Sequence, residues 1–188
     1  RHGQSTWNLE KKFTGWVDVD LTTNGKLEAK KAGNLIKDQS IKIKYYYSSL
    51  QLRAINTLKL IQESLNDKKK FTRAWQLNER HYGDLTGLNK LEVSKKLGEE
   101  KVHKFRRSWD LKPKPLDKHS PYHPSNIDTY KNVPNESIPD SESLKDTFIR
   151  VTNYYDTEIK KNLQNGNLLI SAHGNSIRAL CKYLFRID

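Results

Sequence analysis

Two histidine-containing segments, one at each end of the chain, carry side chains that could do chemistry. Arg1, His2 and Gly3 stand together at the start, and Ser171-Ala172-His173-Gly174-Asn175 lies near the end. An imidazole titrates near neutral pH and serves as a nucleophile, while a neighbouring guanidinium stabilises a phosphoryl group in transfer. Gly3 lets the backbone approach a ligand closely. Each segment alone is a weak signal, because an isolated histidine is more often structural.

The charge of the chain favours anionic partners. Its formal net charge is +12, which suits nucleic acid, acidic membranes or small phosphorylated molecules. No helix-turn-helix, zinc-finger or aromatic RNA-binding signature accompanies that charge, so a nucleic-acid-binding module is only a remote alternative. No apolar run approaches the roughly 20 residues that cross a bilayer, and we expect no membrane partner.

Cysteine and histidine usage argues against disulfides and metals. The single cysteine, Cys181, excludes an intramolecular disulfide framework and a Cys-rich zinc site. His119 and His123 have the spacing of a helical zinc pair, but Pro121 between them and Pro124 after them disfavour a regular helix. The sequence therefore predicts no metal site and a soluble protein of the reducing cytoplasm.

The elements that must position the two segments alternate between helix and strand. Apolar spacing and turn residues predict helices over about 25–38, 50–65, 90–109 (with Gly98 a possible interruption) and 175–185, and a long one capped by Ser143 with Asp146 and ended by Asn165-Gly166. They predict strands over 41–48, 71–77 and 168–170, and an irregular excursion over 112–139 that holds all six prolines. This order predicts an α/β fold with three layers, a largely parallel sheet with helices on both faces.

Ligands of open parallel sheets bind beyond the carboxyl ends of the strands. Two predicted strands end just before Ser49 and at Ser171-Ala172-His173, so the late histidine should face a crevice there. The helix that follows His173 would present its N-terminus, which favours an anion. The sequence thus predicts one anion-binding site at this edge of the sheet.

Taken together, the motifs carry a resemblance. Arg1-His2-Gly3, then Ser49 with Arg53, then His173-Gly174 is the order of the histidine phosphatase superfamily. Longer blocks are similar to the cofactor-dependent phosphoglycerate mutases: RHGQSTWN at 1–8, FTGW at 13–16, LNERHYG at 77–83, LTGLNK at 85–90, FRR at 105–107 and AHGNS at 172–176. The resemblance covers nearly the whole chain.

The resemblance implies roles for individual residues. His2 would be phosphorylated, Arg1, Arg53 and His173 would line the transferring phosphate, and Glu79 would be the general acid and base. The substrate's second phosphate and carboxylate would be bound by Asn8, Ser5, Thr14, Gly15, Arg80, Tyr82, Lys90, Arg106, Arg107, Gly174 and Asn175. From the residues alone, Glu79 could equally form an ion pair with Arg80 or another arginine, and Arg106-Arg107 could be an exposed helix face.

The resemblance also implies a reaction and its partners. Phospho-His2 would interconvert 3-phosphoglycerate and 2-phosphoglycerate, primed by 2,3-bisphosphoglycerate and without a metal. A bisphosphoglycerate synthase or a phosphatase of the same superfamily is the alternative, although Thr14-Gly15 and the 78–90 block favour the mutase. The family suggests a homodimer or homotetramer. We expect a single domain over 1–188 that lacks an N-terminal strand and a C-terminal tail of the family. The 112–139 excursion is hypothesised to be a lid.

Overall fold

Three parallel strands form the centre of the fold in the computed structural model, which describes residues 1–187. They are β1 (Ile43–Ser48), β2 (Thr72–Arg73) and β3 (Asn167–Ser171), in the order β2-β1-β3. β1 pairs in parallel with both neighbours, and Tyr47 lies opposite Thr72 on one side and Ile170 on the other. The predicted parallel sheet is confirmed.

Eight α-helices accompany the sheet within residues 1–187. They are α1 (Thr6–Leu9), α2 (Thr23–Asp38), α3 (Leu52–Leu65), α4 (Lys90–Leu97), α5 (Glu99–Arg107), α6 (Leu144–Tyr154), α7 (Lys160–Leu163) and α8 (Gly174–Phe185), with a π-helical turn, Tyr155–Ile159, between α6 and α7. None of the helices in this part of the chain is long and apolar enough to cross a membrane.

Successive tyrosines of β1 point to opposite faces of the sheet, as the two-residue period of a strand requires. Tyr46 packs with Ile43 and Leu58 of α3 on one face. Tyr47 packs on the other face with Val151 of α6 and Ala179 of α8. Helices α2 and α3 contact one another, as do α6 and α8. Burial on both faces explains the run of three tyrosines and confirms the three-layer α/β architecture.

Two element predictions need correction. The strand predicted over 71–77 is limited to Thr72–Arg73, and a 3₁₀ turn follows at Trp75–Leu77. Its apolar residues pack in three separate clusters, Phe71 with Tyr46, Trp75 with Trp16 and Leu77 with Tyr47, so they do not share the faces of one strand. The helical segment predicted over 90–109 ends at Arg107, and the interruption predicted at Gly98 is confirmed, since its φ of 85° ends α4 before α5 begins.

Side-chain caps determine where several helices start. Ser143 and Asp146 form the predicted capping box of α6, with each side chain accepting the other residue's backbone N–H. Thr22 caps α2 two residues earlier than the sequence suggests. Ser5 and Asn8 form a second capping box on the four-residue helix α1, which the sequence analysis did not predict.

The excursion over 112–139 contains only short 3₁₀ turns and is packed against the rest of the fold. Tyr130 and Val133 are buried in a cluster with Trp16, Leu50 and Trp75. The Tyr130 hydroxyl donates to the carbonyl of Trp16. A motion of the whole excursion as a lid would have to break these contacts.

The segment that carries His2 is held by a close backbone contact with the first turn of α2. The His2 N–H donates to the carbonyl of Ala172 at the end of β3. A Cβ atom on Gly3 would lie 2.2 Å from the carbonyl oxygen of Gly25, and one on Gly25 would lie 2.0 Å from the carbonyl oxygen of Gln4. Gly3 thus makes room for the backbone of Gly25, whereas the sequence analysis assigned it to the approach of a ligand.

Gly25→Ala should therefore destabilise the protein, although alanine is normally the better helix former. We expect the free energy of unfolding to fall by about 1–3 kcal/mol, the usual cost of overpacking a tight contact. Urea unfolding measures this. The neighbouring exposed Lys26 gives the matched control, since Lys26→Ala adds no atom to the contact and should change stability by less than about 0.5 kcal/mol. Equal stability of both variants would contradict the close-contact interpretation.

Candidate active site

His2 lies at the bottom of a cleft at the carboxyl ends of the strands, with one ring nitrogen oriented by the backbone. Its Nδ1 lies 2.6 Å from the carbonyl oxygen of Gly3. Because a carbonyl only accepts, Nδ1 carries the ring proton and Nε2 keeps its lone pair. Burial, with the charge of Arg53 as the next cause, lowers the pKa of His2 to about 3. The imidazole is therefore neutral and nucleophilic at physiological pH.

His173 supports His2 from behind. The two rings meet edge to face with their centroids 4.9 Å apart. Ser49, at the end of β1, places its Oγ 2.8 Å from Nε2 of His173 and fixes the orientation of the ring. Burial lowers the pKa of His173 well below its ordinary value, so this ring is also uncharged.

Six cationic side chains surround the cleft, which has a volume of about 200 Å³. They are Arg1, Arg53, Lys90, Arg106, Arg107 and Arg178. None of the six forms an ion pair within residues 1–187. Arg53 is fully buried, and its guanidinium donates to the carbonyls of Val17 and Gly15, both at 2.9 Å. This excess of unpaired positive charge suits a polyanion, which guanidinium groups bind bidentately.

Among residues 1–187, Glu79 is the one carboxylate that lines the cleft. Its Oε1 accepts the backbone N–H of Arg80 at 2.8 Å and that of Asn175 at 3.2 Å. The Arg80 guanidinium turns away, so the alternative of a Glu79–Arg80 side-chain ion pair does not occur. The surroundings of this carboxylate are polar and cationic.

Uncharged polar groups complete the wall of the cleft. They are Asn8, Thr14, Gly15, Tyr82, Gly174 and Asn175. The Asn175 amide donates to the Tyr82 hydroxyl at 2.9 Å. Burial raises the pKa of Tyr82, so its hydroxyl stays protonated and available as a donor.

Three of the predicted site residues lie outside this lining. His173 stands behind His2, as described. Ser5 is buried and caps α1, where its hydroxyl accepts the N–H of Asn8 at 3.3 Å. Arg80 is buried, and its guanidinium donates to the carbonyls of Glu142 at 2.8 Å and Leu111 at 3.1 Å. Ser5 and Arg80 therefore hold neighbouring segments of the site and do not face the cleft.

Arg178 lines the cleft and was missed by the sequence analysis. Its guanidinium donates to the amide oxygen of Asn175 at 3.1 Å. The sequence could have indicated it. Arg178 follows the predicted site residue Gly174 by four positions on α8, and residues four apart share a helix face.

His123, one of the two histidines with zinc-like spacing, forms hydrogen bonds within the excursion and to Asp140. His123 is buried, with Nε2 2.9 Å from Asp140 and Nδ1 2.7 Å from the hydroxyl of Ser125. In the part of the chain that the structure describes, no three His, Cys, Asp or Glu residues group closely enough to hold a metal ion.

Comparison with known proteins gives a consistent family. Residues 1–123 match the family model of the histidine phosphatase superfamily (branch 1). A "2,3-bisphosphoglycerate-dependent phosphoglycerate mutase" of Pelagibacter ubique (strain HTCC1062) is 67% identical over 189 residues, covering 100% of this chain and 79% of that protein. A protein of the same name from Hydrogenobaculum sp. (strain Y04AAS1) is 49% identical, covering 98% of this chain and 75% of the relative.

Solved structures share the fold. A phosphoglycerate mutase from Bacillus anthracis str. Sterne superposes with a TM-score of 0.69 at 25% identity, covering 98% of this chain and 77% of that one. A mycobacterial glucosyl-3-phosphoglycerate phosphatase superposes with a TM-score of 0.73 at 21% identity, covering 100% and 80%. The second likeness concerns the fold alone.

Buried neutral histidines should make the stability depend on pH. Burial also lowers the pKa of His81 to about 4, so His2, His81 and His173 all bind protons less well in the folded chain than in the unfolded chain. Their contribution is fully present above about pH 6.5 and is lost as the pH falls toward their folded-state pKa values. We expect the free energy of unfolding, measured in urea between pH 7 and 5, to fall with a limiting slope of about 4 kcal/mol per pH unit, that of three protons.

His81→Asn removes one of the three titrating histidines, and position 81 does not line the cleft. His81 accepts the N–H of Gly83 through Nδ1 at 3.0 Å, and an asparagine oxygen can take over this role. The slope should fall by about a third in this variant. An unchanged slope would mean that His81 does not remain uncharged in the folded protein.

Proposed function

Because this chain belongs to the 2,3-bisphosphoglycerate-dependent phosphoglycerate mutases of the histidine phosphatase superfamily, we propose that His2 is the covalent phosphate carrier of its reaction. The enzyme interconverts 3-phosphoglycerate and 2-phosphoglycerate, acting on small phosphorylated three-carbon acids. The observation that carries the assignment of His2 is its neutral imidazole, with a free Nε2, facing a cleft of unpaired cations and one carboxylate.

The side chains of the cleft fit a bisphosphorylated acid. Six cations and one carboxylate leave a large positive excess in a small volume, as a ligand with two phosphates and a carboxylate requires. Arg1 and Arg53 would hold the group next to His2, while Lys90, Arg106, Arg107 and Arg178 would hold the distal charges. When bound, 2,3-bisphosphoglycerate supplies the phosphoryl group that primes His2.

We assign the forward step to His2 and Glu79. The C2 hydroxyl oxygen of 3-phosphoglycerate attacks the phosphorus of phospho-His2, and the bond from phosphorus to Nε2 breaks as the new O–P bond forms. Glu79 accepts the hydroxyl proton in this step. Arg1 and Arg53 stabilise the charge on the equatorial oxygens of the transferring group.

The second step reverses these events at the C3 oxygen. Nε2 of His2 takes the C3 phosphoryl group, Glu79 returns the proton to the departing oxygen, and 2-phosphoglycerate leaves. One covalent intermediate thus serves both directions of an exchange that would be slow in a single step. Residues of the cleft wall must keep water from phospho-His2, because hydrolysis would make the enzyme a phosphatase.

We also propose a cellular setting and an assembly. One cysteine suits a reducing cytoplasm, where the substrates of glycolysis are turned over. Apolar clusters on both faces of one sheet support a single domain over 1–188, and the family resemblance suggests a homodimer or homotetramer. Analytical ultracentrifugation tests the assembly.

The proposal predicts the behaviour of His2→Ala in a coupled assay of 3-phosphoglycerate conversion. With EDTA present and 2,3-bisphosphoglycerate added, the unaltered enzyme should form 2-phosphoglycerate and carry one acid-labile phosphate per chain. His2→Ala should lose both, by at least about 10³-fold in rate, because it removes the imidazole nitrogen that accepts the phosphoryl group. His119→Ala, an exposed histidine of the excursion, should retain both and serves as the control.

The products distinguish the remaining alternatives. Release of inorganic phosphate without 2-phosphoglycerate would indicate a phosphatase, and accumulation of bisphosphoglycerate would indicate a synthase. Turnover by His2→Ala at the rate of the unaltered enzyme would overturn the assignment of His2.

A further inference from the structure

The base of the proposed reaction lies in a stretch of chain without regular secondary structure. Glu79 belongs to residues 78–82, between the 3₁₀ turn Trp75–Leu77 and the next turn at Gly83–Leu85. Backbone carbonyls of such a stretch have no partners from a helix or a sheet, and buried carbonyls need partners from elsewhere. The position of the Glu79 carboxylate therefore depends on what binds this backbone from outside.

Arg150 of α6 supplies that binding with its whole guanidinium group. Nη1 donates to the carbonyls of Gln76 at 2.7 Å and Asn78 at 3.0 Å, and Nη2 donates to the carbonyl of Glu79 itself at 3.0 Å. Nε and Nη2 donate to the two carboxylate oxygens of Glu142 at 2.6 and 2.9 Å. All five N–H donors of the guanidinium are thus satisfied.

Glu142 binds the same stretch from its other end. Its Oε2 accepts the N–H of His81 at 2.8 Å, and its carbonyl accepts Nε of Arg80 at 2.8 Å. Its own N–H donates to the carbonyl of His81 at 3.1 Å. The side chains of Arg150 and Glu142 are 9% and 5% exposed, which makes theirs the one buried arginine–carboxylate pair among residues 1–187.

We propose that Arg150, with Glu142 as its counter-charge, is a positioning residue that holds the Glu79 carboxylate at the distance needed for proton transfer. This inference rests on the proposed role of Glu79 as general acid and base. Neither Arg150 nor Glu142 lines the cleft, so both act through the backbone of residues 76–81. A displacement of about 1 Å at a reacting group is enough to slow a reaction by up to 10²-fold.

Arg150→Lys is the most informative variant, because it keeps the positive charge and removes the planar set of five N–H donors. A lysine ammonium has three donors on one atom and cannot bind three carbonyls and both carboxylate oxygens at once. Arg73, exposed on β2, provides the matched control, since Arg73→Lys makes the same chemical change away from this stretch. Circular dichroism and thermal unfolding establish that each variant is folded, and Glu142→Gln carries the same test if Arg150→Lys does not fold.

The test compares two phosphoryl donors in the full-length protein. Mutase turnover requires proton transfer by Glu79, whereas transfer from p-nitrophenyl phosphate to His2 releases a phenolate that needs no proton. We expect Arg150→Lys to lower kcat for the mutase reaction by about 10- to 100-fold and transfer from p-nitrophenyl phosphate by less than about threefold. Arg73→Lys should change neither rate. Equal losses with both donors would overturn the proposal, since a general structural defect affects both.

A double variant tests whether Arg150 acts through Glu79. In a Glu79→Gln background, Arg150→Lys should cause no further loss of mutase turnover, because the group that it positions is already inactive. Additive losses would overturn the positioning role of Arg150 and would leave the assignment of Glu79 intact. Full mutase turnover by Glu79→Gln would instead remove the assignment of Glu79, and with it the reason for a positioning residue.

Discussion

The site depends on holding a fully buried guanidinium without an acidic partner. Arg53 is anchored by the carbonyl oxygens of Gly15 and Val17, which stabilise its charge as dipoles and do not neutralise it. The loop at 14–17 must therefore turn its carbonyls inward, and α3 must begin where Arg53 can reach them. An ion pair in this place would cancel the field that attracts phosphate. Among residues 1–187, Glu79 is the one carboxylate of the lining and it forms an ion pair with none of the six cations, which preserves that field.

A second buried side chain joins the loops that this arrangement requires. Gln51 donates through its amide to the carbonyl of Gly15 at 2.9 Å and to the hydroxyl of Tyr130 at 3.2 Å, and its amide oxygen accepts the N–H of Glu79 at 2.9 Å. One amide thus links the loop at 14–17, the excursion and Glu79. It also makes the excursion part of the scaffold at Tyr130, which limits the hypothesised lid to residues away from this anchor.

Features set by residues close in sequence could be predicted from the sequence. Features set by side chains that bind backbone carbonyls far away in the sequence could not. The capping box of Ser143 is visible as a spacing, and most of the cleft lining follows from family motifs. The length of β2 was predicted wrongly because Phe71, Trp75 and Leu77 pack in different clusters, which no periodicity reveals. Arg80 and Arg150 show the same limit. Arg80 belongs to the LNERHYG motif at 77–83, and Arg150 belongs to no motif. Arg150 nevertheless contacts the backbone of Glu79, while Arg80 binds the carbonyls of Glu142 and Leu111.

The cations of the cleft perform two functions with one field. By opposing protonation, burial and the charge of Arg53 keep Nε2 of His2 free as a nucleophile. Low basicity also makes a nitrogen a better leaving group, so the same environment helps phospho-His2 to pass on its phosphoryl group. The arriving phosphate then reduces the positive field that disfavoured a charged ring, and the phosphorylated imidazole is stabilised only while its oxygens contact the guanidinium groups. The cations that bind the phosphate therefore add to burial in keeping His2 uncharged, and a neutral histidine and unpaired arginines act together in the cleft.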